Sequence, residues 1–249
     1  MIDKVLLGSN TAKNGFSSER EIAEKFNNWQ QDTEAKQWLV LMQYNLNKIE
    51  FVKATIVTGH KTDVNVQIQI KLKQALDIEN LQVKLVSNKK GFNQIDKRWI
   101  KNYIEMWNIP DEIVSILEHY VGELPPKINK PRDVRRMFLD EFSIEEQNLL
   151  VTFFDKNKVM IVNDILKGRG KFSADWILVA QKTEKNARWV LKAMNEAVNH
   201  YFGNGTVSIT EKGSLKIGRI TIQRKGGDGG RATANMLQFK IDPTDLFDI

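Results

Sequence analysis

Alternation of polar and apolar residues, strict from position 63 to position 70 and resumed from 81 to 85, constrains the fold of this chain more than any other feature of its sequence. In the first part of this stretch the apolar positions are all β-branched, namely Val64, Val66, Ile68 and Ile70. A side-chain period of two is typical of a strand with one buried face. A second β-rich run, at residues 53–58, precedes it across a turn centred on Gly59. Together the two runs predict a β-hairpin that covers a hydrophobic core.

A third strand is predicted at residues 81–86. Apolar residues occupy positions 81, 83 and 85, whereas Gln82 and Lys84 lie on the opposite face. We expect the preceding strand to run to Lys73, and a loop from Gln74 to Asn80 to return the chain. This arrangement brings two polar side chains beside the start of the neighbouring strand.

The remaining chain mixes helical and strand periodicities, which predicts an α/β fold. Helices are expected after a cap at Ser17 or Ser18, after the turn at 88–91, and after a capping box that begins at Ser143. A last long helix is also expected, with four apolar residues that face the protein interior: Val190, Leu191, Met194 and Val198. Strands are expected at Val159–Val162 and Trp176–Ala180, and in a second hairpin made of Val207–Ile209 and Leu215–Gln223.

Composition is that of an ordinary globular protein. Hydrophobic residues make up 41% and charged residues 27% of the chain, which excludes disordered, collagen-like and membrane classes. There is no cysteine, so disulfides, thiolate nucleophiles and cysteine-based zinc sites are excluded. No secretory signal and no apolar stretch of membrane-spanning length is visible. We therefore expect a cytoplasmic protein that does not bind membranes.

The charge balance favours a polyanionic partner. The chain has 37 lysines and arginines against 31 acidic residues, a net charge of +6. Basic side chains that face phosphates release condensed counterions on binding. The excess is compatible with nucleic acid binding but does not single it out.

Asp63, Gln82 and Lys84 together suggest magnesium-dependent cleavage of phosphodiesters. Magnesium prefers oxygen ligands, and a lysine two residues along the same strand face can contact the attacking water or the phosphate. Eighteen residues separate Asp63 from Gln82, enough for a strand, a loop and a return. Spacing alone favours solvent-facing polar residues, because such patterns are common in lysine-rich proteins. Gln82 is unusual in offering a neutral amide oxygen where an acid is expected.

A rival arrangement consists of Asp175 followed by Gln181 and Lys182. Only five residues intervene between Asp175 and Gln181, and no hairpin return fits that spacing. We interpret this segment as a core strand with an exposed end. His60, beside the first site, is interpreted as a turn residue.

Longer runs point to a known family. Residues 61–63, 81–97, 223–228 and 234–243 resemble the type II restriction endonucleases of Haemophilus that cut GCGC. The similarity extends from the N-terminal helix to Ile249. Runs of this length are far more specific than a three-residue site, and they outweigh the solvent-facing interpretation.

The resemblance implies the PD-(D/E)XK nuclease fold, with a central mixed β-sheet flanked by helices. It places Asp63 in the aspartate position, Gln82 in the place of the usual acid, and Lys84 as the lysine of the motif. The implied cofactor is Mg²⁺, held by Asp63, Gln82 and the backbone carbonyl of Val83. Thr62 stands where the generic motif has proline, which leaves the carboxylate in place.

Two sets of DNA-binding residues are expected. The first comprises Phe92, Asn93, Gln94 and Lys97, and the second comprises Gln223, Arg224, Lys225, Asp228 and Arg231. Amide side chains suit base edges, Arg and Lys suit guanine, and Asp suits cytosine. Phe92 could wedge between base steps, although sequence alone favours a core position for it. For the second set a flexible glycine turn is the alternative.

The function implied by the resemblance is hydrolysis of both strands of duplex DNA at a short palindrome, GCGC, leaving 5′-phosphates. One compact unit is expected, with roughly residues 1–125 catalytic and roughly 126–249 for DNA recognition, since prolines between Leu124 and Pro131 interrupt the helices. Besides DNA, the expected partner is a cognate DNA methyltransferase that forms no stable complex, and the sequence is compatible both with a single subunit and with a homodimer. A repair-type nuclease and a non-catalytic DNA-binding protein are the alternatives.

Overall fold

A computed structural model describes residues 17–57, 65–72, 75–183, 186–227 and 230–249. Two compact units are present, and each is discontinuous in sequence. The first unit takes its described residues from positions 17–93, 167–197 and 242–249, and the second from 94–166 and 198–241. Both halves of the chain contribute to both units. The assignment of residues 1–125 to catalysis and 126–249 to DNA recognition stays a prediction.

Six helices and ten strands occur within the described residues. The helices are α1 (residues 17–27), α2 (Thr33–Leu41), α3 (Ile100–Trp107), α4 (Asp111–Val121), α5 (Ile144–Leu166) and α6 (Met194–Phe202). The strands are β1 (Ile49–Val57), β2 (Asn65–Leu72), β3 (Leu76–Val86), β4 (Asn93–Arg98), β5 (Trp176–Lys182), β6 (Ala187–Ala193), β7 (Val207–Ile209), β8 (Leu215–Ile217), β9 (Ile220–Arg224) and β10 (Leu237–Ile241).

The first unit contains a mixed sheet with strand order β1-β2-β3-β5-β6. Neighbouring strands are antiparallel except β3 and β5, which are parallel. The predicted hairpin is confirmed, since Val57 pairs with Asn65 and the register continues as far as Phe51 and Lys71. The return is shorter than expected: β2 ends at Leu72 and β3 already begins at Leu76, so most of the predicted loop is strand.

One face of this sheet carries the core of the first unit. The alternating residues Val66, Ile68 and Ile70 are fully buried and pack with apolar residues of β3, α1 and α2. Ile22 and Phe26 of α1 belong to the same cluster, as their helical spacing predicts. Burial of this face fixes the register of β2 and β3, because a slip by one residue would turn every apolar side chain outward.

The second unit contains the second sheet, with strand order β4-β10-β9-β8-β7. Its core includes an aromatic cluster in which Tyr103 stacks on Trp107 at a ring-centroid distance of 4.7 Å, and Phe239 meets both rings edge-on. The polar atoms of two of these rings have partners. The Tyr103 hydroxyl donates to Asp96 at 2.6 Å, and Trp107 Nε1 donates to Asp164 at 2.9 Å.

Further sequence predictions about secondary structure were wrong. Val159–Val162 is not a strand but part of α5, where Ile161 and Val162 are buried and Val159 is exposed. Val190 and Leu191 belong to β6, and the helix starts only at Met194. The segment Asn93–Arg98, expected to be turn and helix, forms β4.

The capping box at the start of α5 is confirmed. The Ser143 backbone N–H donates to the Glu146 carboxylate at 3.1 Å, and the Glu146 N–H donates to the Ser143 hydroxyl at 3.3 Å.

Leu124–Pro131 is irregular, as its prolines predict, and it lies within the second unit. None of the helices in the described part of the chain combines the length and the apolar character needed to cross a membrane.

Candidate active site and nucleic-acid interface

Strand β3 positions two of the three predicted catalytic residues. Leu81 and Val83 point into the core of the first unit, so Gln82 and Lys84 occupy the other face of the strand. Gln82 pairs with Asn65 of β2 on one side and with Ile177 of β5 on the other. Both polar side chains are nonetheless buried, with only 3% of Gln82 and 6% of Lys84 exposed. The prediction that they share one face is confirmed.

Gln82 has an unusual hydrogen-bonding state. Its side-chain oxygen Oε1 is buried and has no hydrogen-bond partner within the described residues. A buried polar atom without a partner costs about 1–3 kcal/mol, so native proteins rarely retain one without a functional reason. An amide oxygen in this state has the chemistry of a ligand for a hard cation such as magnesium. The amide oxygen of Gln82 therefore fits, as a ligand, the metal site that the sequence predicts.

Asp63, the third predicted catalytic residue, lies outside the described residues, as does His60. In sequence it precedes Asn65, the residue that pairs with Gln82, by two positions. Across the parts of the chain that the structure does describe, no group of three or more His, Cys, Asp and Glu side chains could hold a metal ion. The roles of Asp63 and of the Val83 carbonyl stay predictions.

The rival arrangement is accounted for by structural contacts. The Asp175 carboxylate accepts the Asn80 backbone N–H at 3.0 Å. Lys182 forms an ion pair with Glu21 of α1. Gln181 is buried in β5 and donates to main-chain carbonyls. The interpretation of this segment as a core strand is confirmed for β5.

The first predicted DNA-binding set begins directly after the turn that follows β3. Phe92 follows it with 61% of its surface exposed, so the core position that sequence alone favours is wrong. An exposed phenylalanine just after the turn that follows β3 has the side chain that a base-step wedge requires. The other members, Asn93, Gln94 and Lys97, lie on β4, where Lys97 is exposed.

The second predicted set lies in the loop between β9 and β10. The loop is closed at its base by hydrogen bonds from Lys225 N to Met236 O and from Gly226 N to Ala234 O, at 2.8 and 2.9 Å. Gly226 and Gly227 have positive φ angles of 64° and 67°, which favour glycine. Gln223 lies on β9 and Arg231 is exposed in the loop, whereas Asp228 lies outside the described residues.

Arg224, at the base of this loop, is bound to the protein. Its Nε donates to the Val121 carbonyl at the end of α4, and its Nη2 donates to Asn235 Oδ1, both at 2.7 Å. Asn235 Nδ2 in turn donates to the Gly122 carbonyl at 2.7 Å. Burial lowers the pKa of Arg224, and the positive charges of nearby Arg135 and Arg136 act in the same direction. Sequence patterns gave no sign of Asn235, whose role depends on this three-dimensional contact.

We predict that Arg224→Ala destabilises the protein. Replacing Arg224 leaves a helix-terminal carbonyl and an Asn235 amide oxygen without their donor, and the free energy of unfolding should fall by about 1–3 kcal/mol. Arg231→Ala is the matched control, because Arg231 is exposed and should change this free energy little. Urea denaturation measures both. Equal stabilities of the two variants would contradict the structural role of Arg224.

Comparisons with known proteins agree with this picture. The sequence profile of the R.HinP1I restriction endonuclease family matches residues 42–247. Among solved structures, the chain is similar to the restriction endonuclease MspI in complex with its cognate DNA, with a TM-score of 0.64, 15% sequence identity, and coverage of 94% of this chain and 91% of MspI. No curated protein matches the chain in sequence.

Proposed function

The chain belongs to the R.HinP1I restriction endonuclease family, and from that premise we propose that it cuts duplex DNA at the palindrome GCGC, with Mg²⁺ as cofactor and 5′-phosphate ends as products. Family membership makes the protein a type II site-specific deoxyribonuclease, and the likeness to MspI confirms the predicted fold. GCGC is supported by the four sequence runs that resemble Haemophilus enzymes. Duplex DNA as partner is supported by the DNA in the MspI structure.

The observation that carries the proposed chemistry is the buried Gln82 Oε1, which no described group satisfies. Asp63, Gln82 and the backbone carbonyl of Val83 would hold Mg²⁺. When bound, the ion lowers the pKa of water and offsets negative charge on the phosphate. Gln82 contributes no charge, so Asp63 supplies the single carboxylate of this ligand set.

Lys84 would contact the attacking water or the scissile phosphate. It lies two residues from Gln82 on the same face of β3, a separation of about 6–7 Å along a strand. Its side chain is buried, and electrostatic interactions there are stronger than in water. A fixed positive charge that meets the phosphate as negative charge develops lowers the barrier without reorganisation of solvent.

The two predicted loop regions would bind the DNA. Phe92 would insert between base steps, and Asn93, Gln94 and Lys97 on β4 would contact bases or phosphates beside it. A second group of residues belongs to the loop between β9 and β10. Their side chains suit a target of G and C, because arginine and lysine donate to guanine and aspartate accepts from cytosine. The members of this group are Gln223, Arg224, Lys225, Asp228 and Arg231.

A palindromic target requires a cut in each strand. One subunit achieves this by nicking twice, whereas a symmetric homodimer cuts both strands in one encounter. We propose the homodimer, because its two-fold symmetry matches the symmetry of the site. The cognate methyltransferase would protect the same site in host DNA without forming a stable complex.

Incubation of supercoiled plasmid with the protein and Mg²⁺ tests the function. We expect discrete fragments whose ends, on sequencing, fall within GCGC and carry 5′-phosphates, and no product when EDTA removes the metal. A plasmid of equal length without GCGC is the matched control and should stay intact. Nicking confined to junctions or mismatches would instead indicate a repair nuclease, and binding without cleavage would indicate a non-catalytic DNA-binding protein.

A further inference from the structure

The turn from Asn88 to Gly91, between the catalytic strand and Phe92, is attached to the first unit at two places. Gln181 Nε2 on β5 donates to the carbonyl of Asn88 at 2.7 Å and to that of Lys89 at 3.0 Å. On the other side, the Gly91 N–H donates to Asp242 Oδ2 at 3.2 Å. The main chain of the turn is therefore held by two side chains that come from much later in the sequence.

Gln181 is itself fixed in orientation. It is 5% exposed, and its Oε1 accepts a hydrogen bond from Arg188 Nε at 2.6 Å. Arginine can only donate, so this contact directs the Gln181 amide nitrogen toward the turn. The two residues are direct partners across β5 and β6. The Arg188 guanidinium also lies 3.9 Å from the centre of the Phe247 ring.

Phe247 closes the set of contacts. It belongs to the short helical segment Pro243–Asp248, which contacts β3, β5 and β6. Asp242 caps that segment by accepting the Thr244 N–H at 3.0 Å, and the same carboxylate holds Gly91. A continuous path thus runs from the turn through Gln181, Arg188 and Phe247 and back to the turn.

We propose that Gln181 is a positioning residue that fixes the Asn88–Gly91 turn so that Phe92 enters DNA in a defined place relative to Lys84. This inference rests on the proposed role of Phe92 at the DNA. A preorganised turn removes the entropy cost of ordering Phe92 on binding. A displacement of about 1 Å in a positioning element can lower an enzymatic rate by about 100-fold.

Gln181→Glu tests the proposal. Glutamate keeps an oxygen for Arg188 but replaces the donor to the two carbonyls by an acceptor, so the turn loses its attachment on one side. We expect kcat/KM for cleavage of a GCGC duplex to fall by about 10- to 100-fold. With 2-aminopurine beside the site, the fluorescence rise caused by base unstacking at saturating enzyme should shrink.

A double-mutant cycle separates positioning from general destabilisation. If Gln181 acts through Phe92, Gln181→Glu should reduce kcat/KM strongly in the wild-type background and hardly at all in Phe92→Ala. Fully additive effects would overturn the proposal. If Phe92→Ala alone cleaves and unstacks DNA like the wild type, the proposed role of Phe92 fails instead, which is a different result.

Gln147→Glu is the matched control. Gln147 Nε2 also donates to a main-chain carbonyl, that of Phe142 at 2.9 Å, but in the second unit. It should leave kcat/KM and the fluorescence signal unchanged. Should Gln181→Glu not fold, Gln181→Leu removes the same donor without burying a charge and is expected to show the same coupling to Phe92. Wild-type turnover in a folded Gln181→Leu variant would refute the proposal.

Discussion

Replacement of Asp63 by asparagine is expected to lower the rate of DNA cleavage by about 1,000-fold or more, because the metal site then has no carboxylate. With a neutral amide already at position 82, Asp63 is the single acidic ligand proposed, and metal-ion catalysis contributes several kcal/mol, each ~1.4 kcal/mol being a factor of ten. Sites with two acidic ligands retain one charge after such a change. This site would retain none.

Single-turnover cleavage of a GCGC duplex measures the effect, and a gel shift without Mg²⁺ should show that Asp63→Asn still binds the duplex. Asp155→Asn is the matched control, since Asp155 pairs with Lys158 on the surface of α5. Cleavage by Asp63→Asn at the normal rate, or loss of cleavage in Asp155→Asn as well, would show that the metal ligand has been misassigned.

Lys84→Met is expected to reduce single-turnover cleavage by about 100- to 10,000-fold, the range typical of groups that stabilise developing charge or assist proton transfer. Methionine fills the volume of the buried lysine stem, so the fold should be kept, whereas alanine would add a cavity of its own. Duplex binding should change little, because a buried ammonium contributes less to encounter than exposed basic residues.

Lys71→Met provides the comparison for Lys84→Met. Lys71 lies on β2 of the same sheet, and its exposed side chain pairs with Glu50. The Lys71→Met variant should cleave DNA at the wild-type rate. If Lys84→Met cleaves equally well at saturating Mg²⁺, the lysine neither positions water nor stabilises charge, and another residue must do so.

The sequence predicts the fold correctly where a strand has one apolar, buried face and one polar face. The alternation at Val66, Ile68 and Ile70 is visible because the other face of β2 is polar, and it identified the hairpin and the strand that bears Gln82. The error at Val159–Val162 has the opposite origin. Four consecutive apolar residues suit a buried strand as well as a helix, and only the 23-residue length of α5 decides between them.

For the candidate site, the sequence predicts which residue types are present but not which contacts they make. The sequence marks Gln82 and Lys84 through their shared face, but the absence of a described partner for Gln82 Oε1 emerges only after folding. Arg224 suits guanine by its chemistry, yet the structure gives two of its donors to Val121 and Asn235. Gln181 looked like part of a rival nuclease motif because its true acceptors, the carbonyls of Asn88 and Lys89, are far away in sequence.

Because the first unit is discontinuous in sequence, its assembly determines at which stage of protein synthesis the enzyme can first cut host DNA. Strand β3 pairs in parallel with β5, whose residues are translated long after it, and residues 243–248 contact both strands. A chain still attached to the ribosome therefore has β3 as an open sheet edge, without the support of Gln181 or Asp242. Truncated translation products would lack the same parts. Nuclease activity should thus arise only after residues 243–248 have been synthesised, which leaves host DNA uncut by copies that stop before them.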